Sequence, residues 1–337
     1  MAIQNEQGFV ITTATTATMA LLGAPSFQLN PGTLCYTLAT NQLWVYQPAS
    51  LAAADYAHIA STGAGGFWQL YQLCGDPAAA ARGYIEMPYG DPSLMAAGTI
   101  LTTATINVCK FTAKSSSTVA NIVMYTTTAG ATMTAATTLT ASAAVAGTGG
   151  VVRLTTGSTA SFATTDIVNV TGLVGTTEGN GTWAITVVDG THVELIGSVF
   201  VNAYTSGGTV SRSVNTVALY NAAGTWLGAS VDQVGSTSLW TASAPALQTM
   251  AVANTANPGL LTLQQGAVYY MALVTKATTP PIFMGPPATT AECNLGYSAA
   301  SLIYSTNPAS GATKLLNPLV PASNVVTSAE PLWFALS

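Results

Sequence analysis

The stretch "GAVYYMALVTK", residues 266–276, carries the clearest fold signal in the chain. In an extended conformation its side chains alternate between two faces. One face would carry Val268, Tyr270, Ala272 and Val274, and the other Tyr269, Met271 and Leu273. Both faces are apolar, which is typical of a strand covered on both sides. The stretch therefore predicts a central strand of a β-sandwich.

The rest of the chain repeats this β rhythm. Thr and Val alternate with small residues, and Gly, Asn or Asp interrupts them about every 8 to 12 residues. In "NTVALYNAAGTWLGASVD" (215–232), two alternating runs flank the four residues 221–224, which predicts a hairpin with Gly224 where φ is positive. The only helical signals are the short alanine-rich stretches 48–57 and 76–84. The predicted fold class is all-β: a jelly-roll-like β-sandwich with an inserted small β domain and a mixed N-terminal module.

Composition along the chain predicts four segments. They are an aromatic-rich N-terminal module (1–75), a linker with two prolines in "MPYGDPS" (76–97), a β-sandwich in two parts (98–141 and 213–337) and an inserted small β domain (142–212). The insertion is inferred because 117–135 looks like a strand and turn whose natural partner, 215–229, arrives only after the intervening block. An insertion at a loop tip costs little loop-closure entropy.

Charge and hydropathy narrow the class of protein. Charged residues make up 6% of the chain, against about 25% in an ordinary soluble domain. Mean hydropathy is +0.42, but the charge-free runs are broken by polar and turn residues, and none offers the roughly 20 apolar residues that span a bilayer. We therefore predict a soluble, charge-poor protein without membrane insertion. The start "MAIQNEQGF" has no basic region, so no signal peptide is predicted.

The small number of charged residues also limits which binding partners are expected. With a net charge of −5 and only seven Lys and Arg, the chain is not expected to bind nucleic acid. Weak repulsion between copies is compatible with close oligomers. The four cysteines form no Cys-x-x-Cys, so buried thiols are expected rather than a zinc site or a disulfide framework. They are Cys35, Cys74, Cys109 and Cys293.

Candidate catalytic groups are sparse. His58 follows Asp55 at a helical i, i+3 spacing, and the favoured interpretation is a histidine at the end of a short helix. The chain has no G-x-S-x-G elbow and no H-E-x-x-H pair, so neither a serine hydrolase nor a zinc protease is indicated. We expect no cofactor and no enzymatic activity.

The acidic residues are thinly spread. They are Glu6, Asp55, Asp76, Glu86, Asp91, Asp166, Glu178, Asp189, Glu194, Asp232, Glu292 and Glu330. Four of them, at 166, 178, 189 and 194, fall in the inserted block, where calcium ligation is conceivable but no EF-hand loop is present. A glycosidase would need two carboxyl groups on either side of one bond, which makes a depolymerase the weakest alternative.

One of the two histidines lies among these acids, in "EGNGTWAITVVDGTHVELIGSVF" (178–200). We interpret the stretch as a hairpin that turns at Asp189-Gly190. His192 and Glu194 would lie opposite the apolar face of the return strand and point to solvent or to a neighbouring subunit.

Six tryptophans could stack on sugars or fill a core: Trp44, Trp68, Trp183, Trp226, Trp240 and Trp333. A tryptophan in a sandwich is more often in the core or at an interface. Trp226 and Trp240, near predicted loops, are the candidates for contact with a glycan or another subunit.

Three regions resemble known proteins. The segments "TVANIVMYTTTAGATMTA", "NTVALYNAAGTWLGASVDQ", "LTLQQGAVYYMALV" and "PLWFALS" resemble a sandwich module of tailed-bacteriophage fibre and appendage proteins. The block 151–212, with "GTW" and "YTSGG", resembles a small β repeat of phage virion proteins. The stretch 17–71, which closes with "TGAGGFW", is similar to an N-terminal module of phage tail spikes and fibres.

This resemblance implies a structural protein of a tailed-phage virion. A fibre or decoration protein would dock through its N-terminal attachment or trimerisation module and project the sandwich outward. The expected partners are copies of itself in a homotrimer and other virion proteins of the capsid, neck or tail, and the expected location is the virion. The alternative is a receptor-binding module that recognises a host-surface glycan.

Overall fold

The computed structural model describes two units, Met1–Met87 and Pro88–Ser337. In the first 100 residues it describes the strands named below together with Tyr84 and Ile85. Beyond them it describes residues 101, 103–234, 237–241, 245–285, 302, 304–307, 314–324 and 332–337. Strands dominate, and the described helical turns are 3-10 turns of three or four residues, which confirms the all-β fold class. Among the described residues no helix is long and apolar enough to cross a membrane.

The N-terminal unit contains one five-stranded sheet. Its strands are β1 (Val10–Thr13), β2 (Leu34–Thr37), β3 (Gln42–Gln47), β4 (His58–Ala60) and β5 (Phe67–Leu73), in the order β1-β2-β3-β5-β4. His58 begins β4 and pairs with Gln69, so its predicted place at a helix end is wrong. The predicted helix 48–57 lies outside the described residues, as does 76–84 except for Tyr84.

The second unit contains the sandwich and a barrel. The sandwich strands before the barrel are β6 (Ala96–Ile100), β7 (Ile106–Thr112), β8 (Asn121–Thr128) and β9 (Ala131–Met133). The barrel strands are β10 (Thr137–Ala146), β11 (Val152–Thr156), β12 (Ile167–Thr171), β13 (Gly181–Val187), β14 (His192–Leu195) and β15 (Thr209–Arg212). The sandwich strands after it are β16 (Thr216–Asn221), β17 (Trp226–Ala229), β18 (Ala246–Ala251), β19 (Val268–Val274), β20 (Ala277–Thr279), β21 (Ile282–Gly285), β22 (Tyr304–Asn307) and β23 (Ala335–Leu336).

Two sheets form the sandwich, in the orders β17-β16-β19-β7-β22 and β18-β8-β21-β6, with β23 also on β8. The strands β9 and β20 pair with each other in a separate two-stranded sheet. The strand β19 lies between β16 and β7, which confirms the predicted central strand. Its odd-numbered side chains enter the cluster between the sheets, where Trp240 and Phe283 are fully buried. Its residues Tyr270, Ala272 and Val274 enter a second cluster on the other face. Both faces of the first sheet are therefore covered.

The predicted pairing of 117–135 with 215–229 is wrong. The strand β8 pairs with β18, β21 and β23, whereas β16 pairs with β17 and β19 in the opposite sheet. Side chains of both strands, among them Ile122 and Leu219, meet in one core. Because β8 and β16 face each other across the sandwich, the apolar face of each strand is buried. The alternation of residues in a strand shows which face is buried, but it does not show which strand pairs with it. The hairpin at 221–224 is present, and Gly224 has a φ of 79°.

The barrel is closed, in the order β10-β11-β14-β13-β12-β15. The ten-residue β10 closes it by pairing with β15 through its first half and with β11 through its second half. The first and last barrel residues, Thr137 and Arg212, are direct partners in this register. The hairpin of β13 and β14 pairs Ile185 with Leu195 around the turn at residues 189–190, as the sequence predicts.

The barrel packs on the sandwich at one end of β13. The Thr182 amide donates to Thr255 Oγ1 at 2.7 Å, and the Thr255 amide donates to the Thr182 carbonyl at 2.9 Å. Gly181 has a φ of 135°, and a Cβ there would collide with Thr255. Ala184 packs in the second cluster with Tyr220 and other sandwich residues. The close contact between the barrel and the sandwich at this point therefore requires a glycine at position 181.

Candidate functional site

Asp166, directly before β12, is 2% exposed and lies where the barrel meets the sandwich. Its Oδ2 accepts hydrogen bonds from Arg212 Nη1 and the Ala163 amide, each at 3.0 Å. Its Oδ1 accepts from Lys314 Nζ, which comes from the sandwich segment 314–324. The Arg212 guanidinium also lies 5.2 Å from the centre of the Phe162 ring. Two cations thus face one buried carboxylate, an arrangement that is costly to break because loss of a partner leaves a buried charge.

Glu178 fixes a barrel loop. Its Oε1 accepts hydrogen bonds from the amides of Val201 and Asn202 at 2.6 and 2.7 Å, and Oε2 accepts from Asn202 Nδ2 at 3.1 Å. Burial acts to raise the pKa of Glu178, but the hydrogen bonds from Asn202 and Val201 outweigh it and lower the pKa to about 2. The side chain therefore serves as an acceptor for backbone amides and is poorly suited to donate a proton near neutral pH.

Asp189 and His192 form a pair at the tip of the β13–β14 hairpin. The Thr191 amide donates to Asp189 Oδ1 at 2.7 Å, and His192 Nδ1 lies 2.8 Å from Oδ2. The Thr191 amide and then His192 lower the pKa of Asp189 to about 2. In the part of the chain that the structure describes, no hydroxyl or thiol is hydrogen-bonded to His192 Nε2. The Thr191 hydroxyl lies 3.1 Å from His192 Nδ1 and donates to Asp189 Oδ1 at 3.1 Å, so the three side chains form one hydrogen-bonded turn.

Glu194 is 7% exposed, so the prediction that it points to solvent or to a neighbouring subunit is wrong. Its Oε1 accepts from the Thr148 amide at 2.7 Å and from Arg153 Nε and Nη2 at 2.9 and 2.6 Å. The Thr148 amide, against the opposing effect of burial, and Arg153 lower the pKa of Glu194. The side chain lies on the polar side of the hairpin, as its alternation requires, but the turn at Thr148 covers it.

These acids do not converge on one site. Asp166, Glu178, Asp189 and Glu194 have separate sets of hydrogen-bond partners. Among the described residues, no three His, Cys, Asp or Glu side chains are placed to hold a metal ion. Each carboxylate instead fixes the conformation of a loop or the contact between the barrel and the sandwich. Cys35 and Cys109 are buried, and the two other cysteines lie outside the described residues.

The two tryptophans proposed for glycan or subunit contact lie in the interior. Trp226 is 6% exposed, and Trp240 is fully buried, edge-on to Phe283 with ring centroids 5.5 Å apart. Among the described residues, the indole Nε1 of each has no hydrogen-bond partner. Stacking on a sugar requires a ring face that is open to solvent, which neither indole has. The position of these two tryptophans near predicted loops does not indicate how deeply their side chains are buried.

A cleft of about 350 Å³ lies between the barrel and the sandwich. It is lined by Asn169, Gly181, Thr182, Ala229, Val231, Gln233, Thr237, Leu239, Thr249, Met250, Ala251 and Ala253. The lining has no charged side chain, and it includes both faces of the end strand β18. The sequence did not indicate this site, because β18 matches no motif and its lining partners come from distant segments.

Comparisons with protein-family models, with curated proteins and with solved structures found no match.

Proposed function

We propose that this chain is a non-enzymatic structural component of a tailed-phage virion. It is a fibre or decoration protein that docks on the particle through its N-terminal unit and carries the sandwich with its barrel outward. The observation that supports this most is how the barrel carboxylates are used. Asp166, Glu178, Asp189 and Glu194 are all bonded to loops, joints or a turn residue.

Two features of the second unit suit such a role. The closed barrel has no strand edge exposed to accidental pairing. The barrel is also tied to the sandwich at Asp166 and at Thr182, through contacts that leave little freedom between the two bodies. A protein that projects from a virion needs a rigid connection between its domains, because a flexible connection would shorten the distance that it spans.

The proposal includes a homotrimer. The low content of charged side chains reduces repulsion between copies. Val199 and Val201, on a barrel loop, are 66% and 68% exposed and are available for contact between neighbours.

Light scattering and electron microscopy test the proposal. We expect a solution mass three times the 34.1 kDa of the chain. We also expect gold-labelled antibodies against the chain to decorate intact phage particles at regular positions. Antibody that labels lysates of infected cells but leaves purified particles unlabelled would refute the structural role, and a mass near that of one chain would refute the trimer.

A further inference from the structure

The chain contains a single Asn-Gly dipeptide, Asn180-Gly181, at the end of β13 that meets the sandwich. Asparagine is among the thermally labile residues, and a following glycine presents its amide nitrogen without the hindrance of a side chain. Both residues are needed where they are. The Asn180 side chain bonds to the backbone of Leu173, and a Cβ at position 181 would collide with Thr255.

In the folded barrel the side-chain amide of Asn180 is held at both of its polar atoms. Its Oδ1 accepts a hydrogen bond from the Leu173 amide at 3.0 Å, and its Nδ2 donates to the Leu173 carbonyl at 3.0 Å. The backbone of Asn180 is extended, with a ψ of 139°. A five-membered ring between this side chain and the next amide needs Cβ and the Gly181 nitrogen to be eclipsed about the Cα–C bond, and this ψ keeps them apart. The folded geometry therefore opposes ring closure.

The Gly181 amide is occupied as well. The Ile185 amide donates to the Asp166 carbonyl at 3.0 Å, and this bond sets the phase of the β12–β13 ladder. Because antiparallel bonding alternates, Gly181 and Val170 exchange their backbone hydrogen bonds, whereas Thr182 directs its backbone groups away from β12 and towards the sandwich. The Gly181 nitrogen is therefore released only when the first residues of β13 separate from β12.

We propose that Asn180 is a gated modification site, which converts to aspartate or isoaspartate when this end of the β12–β13 ladder opens. In the open state the Gly181 nitrogen gives its proton to hydroxide and attacks Asn180 Cγ. The bond from Cγ to Nδ2 breaks, Nδ2 takes a proton from water and leaves as ammonia, and a cyclic imide remains. Water then opens the imide at one of its two carbonyls. In sum, one water is consumed and one ammonia is released.

The conversion makes an opening of the barrel irreversible. An aspartate at position 180 has no N–H for the Leu173 carbonyl, and a carboxylate oxygen would face that carbonyl instead. An isoaspartate lengthens the backbone by one atom directly before Gly181, which must fit closely against Thr255. A barrel that has opened for long enough is therefore marked and does not close in its original form. The inference rests on the β12–β13 end alone and does not depend on the proposed place in a virion.

Peptide mapping of the full chain by mass spectrometry tests the proposal, because it separates asparagine, aspartate and isoaspartate at position 180. The chain is incubated at one pH and temperature, without urea and in enough urea to unfold it. We expect conversion of Asn180 to be slower in the folded protein by about tenfold or more, because the reaction requires the barrel end to open. Gly181→Ala in urea is the chemical control, since its Cβ hinders the attacking nitrogen and should slow conversion.

Two substitutions test whether the gate is local. Thr255→Val removes the hydroxyl that accepts the Thr182 amide, directly after Gly181. The start of β13 should then open more often, and conversion in the folded protein should rise about fivefold or more. Phe283→Leu weakens the sandwich core instead, and it should leave the conversion rate within about twofold of the parent chain.

A third substitution imitates the product. Asn180→Asp loses the donor to the Leu173 carbonyl and should lower the melting temperature at neutral pH by about 2–4 °C. A variant as stable as the parent would show that the conversion does not prevent the barrel from closing, which would overturn its irreversibility.

Three further results would overturn the gated site itself. The first is equal conversion with and without urea, which would show that the fold does not protect Asn180. The second is an intact Asn180 after incubation in urea, which would show that the dipeptide does not react. The third is equal acceleration by Thr255→Val and Phe283→Leu, which would assign the reaction to unfolding of the whole protein.

Discussion

The barrel and the sandwich are held together by different means, although both are built from antiparallel strands. The sandwich has large side chains between its sheets, among them Trp240, Phe283 and Phe334, all fully buried. The barrel has a mainly aliphatic interior, and carboxylates fix several of its loops. The sandwich is therefore expected to respond most to lost volume and the barrel to lost charge. They also differ in topology, because the barrel sheet closes on itself whereas, among the described strands, each sandwich sheet has two end strands.

The largest effect should come from the sandwich core. Phe283→Ala removes the ring that packs edge-on to Trp240 and should lower the free energy of unfolding by about 3–5 kcal/mol. Urea denaturation measures this, with Phe283→Leu as the control that keeps most of the volume. Equal losses for both variants would show that the aromatic volume contributes nothing beyond apolar character.

The next effect tests the charge-based half of the comparison. Arg212→Met leaves Asp166 buried with one cation fewer and should cost about 3 kcal/mol. Arg153→Met breaks the pair with Glu194, but the arginine side chain is 29% exposed and the Thr148 amide still donates to the carboxylate, so the cost should be smaller, about 1–2 kcal/mol. The two variants are compared by denaturation at one pH and salt concentration. If Arg153→Met proved the more damaging, burial would not be what makes the Asp166 pair important.

A smaller effect is expected at the junction of the two bodies. Gly181→Ala forces a Cβ into Thr255 at a positive φ and should destabilise the protein by about 1–3 kcal/mol. Gly190→Ala in the same hairpin is the control, since a Cβ there meets no atom within 4 Å. Thermal unfolding of both variants measures the difference. A stable Gly181→Ala variant would mean that the barrel can shift on the sandwich at no cost.

The smallest effect is the pH dependence of the barrel loops. The folded-state pKa of Glu178, about 2, is below its ordinary value of 4.5, so its carboxylate stabilises the fold above pH 4.5. That contribution is lost as the pH falls from about 4.5 to about 2. Glu178→Gln should flatten this part of the stability profile, with melting temperature against pH as the measurement. An unchanged acid slope in the variant would assign it to other groups.

Local pattern predicted the local structure well. The double-faced alternation of 268–274 identified a central strand, and Gly224 and Asp189-Gly190 identified two turns. These features depend on neighbouring residues, so the sequence contains them directly. The neighbours of β8 could not be read in this way, because the alternation that buries Ile122 is satisfied by any partner in either sheet.

The candidate site was harder to predict than the fold. Glu194 occupies a position in the alternating pattern of β14 that predicts exposure to solvent. It is covered by Arg153 and Thr148, which are more than 40 residues away in the sequence. Trp240 is near a turn in sequence yet lies at the centre of the core.

The pairing of Thr137 with Arg212 has a consequence for how this protein can be altered. Direct partners in an antiparallel pair have Cα atoms about 4.5–5.5 Å apart, so the chain leaves and re-enters the sandwich at almost the same point. A tight turn of two residues would bridge that gap. The connection alone would therefore allow another small domain with adjacent termini to replace the barrel without rerouting any sandwich strand, whereas excision would expose the sandwich side chains that pack against Ala184.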